Sequence, residues 1–93
     1  MMNLNTILIK NPGVVGRIVD GEAVLVLPEQ GKVKVLNEVG GRIWALVNGT
    51  HTLGEIAAIL CQEFEIDGTA ALEDALAFAS DLIEKDILLS DPG

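Results

Sequence analysis

The chain has 93 residues, 49% hydrophobic but only 3% aromatic, and a formal net charge of −8 from fourteen acids against six bases. That length suits a single domain with a core of Val, Leu, Ile and Ala, and the composition excludes a disordered chain. The acidity argues against nucleic acid and anionic membranes as partners, because displacing counterions takes clustered Lys and Arg.

Residues 1–13 read as a flexible N-terminal tail ending at Asn11-Pro12-Gly13. Its apolar run, Ile7 to Ile9, is too short for a signal peptide and follows no basic segment. No stretch approaches the ~18 apolar residues of a membrane span, so a cytoplasmic location is expected. Val14–Val19 and Glu22–Leu27, separated by Asp20-Gly21, predict a hairpin, since Asp-Gly supplies the positive φ that a two-residue turn needs. The pairing sets Ile18 opposite Ala23, Gly16 opposite Leu25 and Val14 opposite Leu27, an apolar face expected to look into the core. Pro28-Glu29-Gln30-Gly31 is a turn cluster, and Lys32-Val33-Lys34-Val35-Leu36 then alternates as a short edge strand. The cost of burying ammonium groups favours Val33 and Val35 on the core face, which requires a loop of odd length.

The remainder is helical. Asn37 caps a helix over about residues 38–47, weakened by Gly40-Gly41 unless these mark a close approach, and Asn48-Gly49 ends it. Thr52-Leu53-Gly54-Glu55 matches a capping box opening a second helix over 53–64, with Leu53, Ile56, Ala57, Leu60 and Phe64 on one stripe. A third helix over 70–85 carries a wide apolar arc of Leu72, Ala75, Leu76, Phe78, Ala79, Leu82 and Ile83 opposite a polar face of Glu73, Asp74, Asp81, Glu84 and Lys85. The arc either packs against two neighbours or lines a groove along Phe78 and Leu82. Ile87-Leu88-Leu89 packs back or forms a brief strand, and residues 90–93 are a C-terminal tail.

Catalytic constellations are missing. His51 has no second histidine or cysteine at metal spacing and reads as a solvated turn residue. The single cysteine, Cys61, allows no disulfide within a monomer and, flanked by Gln62 and Glu63, reads as a structural thiol. The alternating acids Glu63, Glu65 and Asp67 do not meet the calcium-loop pattern, and the glycines form no dinucleotide fingerprint. No metal and no cofactor is expected, and the chain reads as a binding module, not an enzyme.

Three strands, a turn-linked pair of helices and a third helix make an α+β winged helix-turn-helix, a three-stranded antiparallel β-sheet followed by three α-helices. The run from Leu36-Asn37 through Gly40-Gly41, Ile43-Trp44 and Asn48-Gly49 resembles the Leu-Asn…Gly…Ile-Trp…Gly signature of the PqqD-like family. The likeness continues through Thr52–Ala57 and Leu60 to Phe78, Leu82 and Ile87-Leu88-Leu89, with Asp86 where that family often has glycine. Upstream, Val24–Pro28 resembles the family's second strand, so the likeness spans residues 14–89. It implies a peptide-binding domain of ribosomal peptide natural-product biosynthesis, pyrroloquinoline quinone included. Such a domain binds the leader of a precursor peptide and presents it to a modifying enzyme, often a radical S-adenosylmethionine enzyme. The resemblance further implies that the leader adds as a strand to Lys32, Val33, Lys34, Val35 and Leu36, against a third-helix wall of Ala75, Phe78, Ala79 and Leu82. Lys32 and Lys34 would meet acidic leader side chains, and Leu82→Asp is expected to weaken binding more than folding. Two alternatives stand beside this: a winged-helix DNA-binding regulator, which the acidic outer helix face disfavours, and a structural partner subunit of an enzyme. A homodimer is compatible with each, because both sheet edges could pair.

Overall fold

The computed structural model describes residues 3–20, 22–27 and 29–91. Eight elements follow in order: β1 (Ile7–Lys10), β2 (Val15–Val19), β3 (Glu22–Leu27), β4 (Lys32–Leu36), α1 (Glu38–Leu46), α2 (Leu53–Phe64), α3 (Gly68–Glu84) and β5 (Leu88–Asp91). β2, β3 and β4 form an antiparallel meander in that order, and the three helices follow, the predicted winged-helix layout.

β1 lies in the segment expected to be a flexible tail, and β5 begins in the Ile87-Leu88-Leu89 segment expected to pack back or form a brief strand and runs on into the expected C-terminal tail. β1 pairs antiparallel with β5, Ile9 opposite Leu89, and Leu8 and Leu88 are fully buried. The N-terminal segment also completes α2. The carbonyls of Thr6 and Leu4 accept hydrogen bonds from the N–H groups of Leu53 and Gly54, which have no partner inside the helix. Gly54 permits this approach, since a Cβ there would stand 3.2 Å from the Leu4 carbonyl oxygen. Met1, Met2, Pro92 and Gly93 lie outside the described residues, as do Gly21 and Pro28 of the two strand-connecting turns.

The β2–β3 register places Ile18 opposite Ala23 and Gly16 opposite Leu25, as the two-residue turn predicts, and Asp20 adopts the left-handed φ of 52°. Val14 precedes β2, so its expected pairing with Leu27 is not made. Ala23, Leu25 and Leu27 reach the core, but Ile18 is 64% exposed, because β2 is an edge strand beyond the cover of the helices. Gly16 is the exception on β2. The Trp44 indole lies against its backbone, and a Cβ at Gly16 would fall 2.6 Å from Nε1. Lys10 lies over the face of the ring, its Nζ 4.8 Å from the centroid.

The two helix caps read from the sequence are made. Asn37 accepts from the Gly40 N–H, and Thr52 and Glu55 form the reciprocal capping box. Asp67 caps α3 through the N–H groups of Thr69 and Ala70, which starts that helix two residues earlier than its apolar arc indicated. At the C-terminus of α3 the Ile87 N–H donates to the Leu82 carbonyl and the Asp86 N–H to that of Ile83, a Schellman motif with Asp86 left-handed at φ 60°. His51, expected in solvent, is half-buried and sets Nδ1 3.0 Å from the Leu46 carbonyl, tying down the turn between α1 and α2. The Cys61 thiol donates to the Ile66 carbonyl, in keeping with a structural role.

Candidate functional site: the seam between β4 and α3

β4 is one of the two edges of its sheet, and its register corrects the sequence reading. The loop from Leu27 to Lys32 spans residues 28–31, an even length, and Lys32 pairs with Leu27, Lys34 with Leu25 and Leu36 with Ala23. The lysines therefore share the face of the buried strand residues. Val33 and Val35, expected inside, point to solvent at 62% and 56% exposure. Burial cost does not forbid this arrangement, because at an edge a lysine stem covers apolar surface while its ammonium group stays in reach of water and a counter-charge. Lys34 reaches Asp81 of α3 at 3.5 Å, and Asp81 also holds Lys85 at 2.8 Å. The hydrogen bond from Lys85 is the main reason the Asp81 carboxyl titrates below its ordinary range.

β4 and α3 run in opposite directions along this seam. At one end the Gln30 side chain donates to the Lys85 carbonyl, and the Lys34–Asp81 pair spans the middle. At the other end a cleft of ≈ 290 Å³ opens where β4 passes into α1, lined by Asn37, Val39, Gly40, Ile43, Asp74, Ala77 and Phe78. Gly40 shapes it, since a Cβ there would meet the Phe78 ring at 3.1 Å and Asn37 Oδ1 at 3.2 Å. Gly41 likewise lets α1 sit on Ala23, so the glycine pair marks a close approach.

Of the third-helix residues expected in the wall, only Phe78 is part-exposed. Ala75, Ala79 and Leu82 are wholly buried and form the core beneath the seam. Leu82→Asp would bury a carboxylate and so unfold the domain, which corrects the expected effect of that substitution. Leu36 is buried as well, leaving its backbone to the seam. The wall is instead Asp74, Ala77, Phe78 and Asp81, about one residue's turn around α3. Their i, i+3, i+4 and i+7 spacing sets them on one face, although by sequence alone Asp74 and Asp81 read as part of the outer, polar side. Among the described residues no three His, Cys, Asp or Glu side chains gather in a metal-binding cluster.

Residues 22–88 match the model of the family described as coenzyme PQQ synthesis protein D. The chain belongs to the PqqD family. A structure of TbiB1 in complex with the TbiA(beta) leader peptide superposes with TM-score 0.79 at 30% identity, covering 86% of this chain and 93% of that one. The solution structure of the PqqD truncation of Methylobacterium extorquens PqqCD, a ribosomal-peptide recognition element, matches with TM-score 0.80 at 25% identity over 96% of this chain and 95% of that one. Lasso peptide synthetase B1 complexed with the leader peptide matches with TM-score 0.80 at 24% identity, covering 88% and 96%, which speaks to the fold. No curated protein sequence matches significantly. No helix among the described residues is long and apolar enough to cross a membrane.

Proposed function

We propose that this PqqD-family domain binds the leader of a ribosomally made precursor peptide and presents it to a modifying enzyme. The observation that carries the reading is the free edge of β4 facing α3, with one side-chain ion pair among the described residues, Lys34–Asp81, across the gap. An extended peptide adds there as a fourth strand, and backbone hydrogen bonds supply affinity while alternate side chains supply specificity. Side chains turned inward meet Lys32, Lys34 and the Phe78 cleft, and an acidic leader residue competes with Asp81 for Lys34. Those turned outward lie beside Val33 and Val35. The leader-bound and recognition-element relatives support this reading. The domain then acts as a cytosolic binding module without chemistry of its own, and its enzyme is of the radical S-adenosylmethionine type.

An amide-proton NMR titration of the domain with the short peptide encoded nearest its gene tests this. Shifts concentrated at Lys32–Leu36 and along Asp74–Asp81 are expected. Saturable binding that leaves both segments unperturbed overturns the strand-addition reading.

A further inference from the structure

The face of the meander turned away from the helices is built of valine. Alternation along the strands places Val15, Val19, Val24, Val26, Val33 and Val35 on it, with two charged side chains, Arg17 and Glu22. Val15, Val19, Val33 and Val35 are 48–62% exposed. α1 packs on β3 from the opposite side, where Gly41 meets Ala23, and none of the described elements covers the valines. A soluble monomer rarely leaves a contiguous apolar patch of this kind open.

Charge indicates what covers it. A face for nucleic acid or anionic lipid would carry several cations, and one for a basic partner several acids. This face carries one charge of each sign on a chain of net −8. Arg17 sits opposite Val24 and Glu22 opposite Val19, so the two are diagonal neighbours, and neither joins an ion pair among the described residues. Such a face is complementary to itself. On a sheet lattice of about 4.8 Å between strands and about 3.4 Å per residue, the line that exchanges Arg17 with Glu22 runs over Val19, Val24 and Val35.

We propose that the valine face is an isologous interface with a second copy of this chain, its two-fold axis lying along that line. Each Arg17 then meets Glu22 of the other copy, and Val19, Val24 and Val35 meet their own counterparts. The two sheets cross steeply, as in orthogonal sheet packing. The β4 edge and the seam to α3 stay open, so this interface does not depend on peptide capture.

Sedimentation equilibrium of the full chain from about 10 μM to about 1 mM, where a small interface associates, tests the proposal. The average mass is expected to climb toward twice the monomer's. Val24→Thr combined with Val35→Thr keeps the β-branch and raises the dissociation constant about tenfold or more. Arg17→Glu or Glu22→Arg alone weakens association, and the two together restore it. Both side chains are exposed, so the swaps leave the fold in place, which circular dichroism checks. Monomer mass throughout, a dimer indifferent to the valine changes, or a double swap without recovery each overturns the proposal.

Discussion

β3 and β4 lie side by side with their valines in register, yet their opposite faces meet different fates. In β3 the residues between the valines are Ala23, Leu25 and Leu27, all buried under the helices. In β4 the corresponding inward positions are Lys32, Lys34 and Leu36, and only Leu36 is buried. A central strand must present apolar side chains to the core. An edge strand can present long cations instead, because they lie along the rim and find a counter-charge, here Asp81. Alternation therefore reports that one face differs from the other, and position in the sheet decides what each face does.

The largest test of this contrast is Leu25→Ala against Val35→Ala. The first removes a wholly buried side chain and is expected to cost about 2–5 kcal/mol. The second removes a half-exposed one and should cost under about 1 kcal/mol in urea denaturation at micromolar concentration. Gly16→Ala sharpens the comparison on β2, the other edge. The added methyl would overlap the Trp44 indole, and a loss of about 1–3 kcal/mol with altered tryptophan fluorescence is expected. Asp86→Gly relieves a left-handed residue that closes α3, and thermal unfolding should show a gain of about 0.5–1 kcal/mol.

The smallest effect is electrostatic. Asp81 is held below the usual carboxylate range, first by its hydrogen bond from Lys85 and also by the charges of Lys85 and Lys34. A depressed folded-state value adds stability above the unfolded pKa, and that gain is lost as pH falls through the folded one. Lys85→Ala and the parent chain should thus show equal stability dependence on pH at neutrality and converge below about pH 4, the parent losing more on acidification. Parallel acid limbs in chemical denaturation would remove Lys85 as the cause.

Most of the element plan was legible because it rests on local chemistry. Asn37, Thr52 and Glu55 cap their helices through side chains three residues from the N–H groups they serve, and Asp20-Gly21 dictates a tight turn. The β1–β5 pair was not legible, since its partners lie at opposite ends of the chain and four-residue runs carry little periodicity. The seam was half legible. Lys32–Leu36 and Phe78 are named by the sequence, whereas Asp74 and Asp81 read as part of the outer polar face and Ala77 draws no reading, because a helix's polar face does not reveal which part of it lies beside a neighbouring strand.

The sequence by itself determined an acidic, aromatic-poor α+β domain with three helices, two of them capped by Asn37 and Thr52, a hairpin at residues 20–21 and the signature that places it in the PqqD family. Only the tertiary structure decided which face of β4 turns inward, that α3 buries Ala75, Ala79 and Leu82 beneath the seam, and that Val33 and Val35 join the outer, mostly valine sheet face. The physical reason is range. Caps and turns are settled within a few residues, whereas burial depends on which distant elements come to lie against each face, and the lysines of β4 turn inward because an edge position beside Asp81 keeps their ammonium groups at the rim.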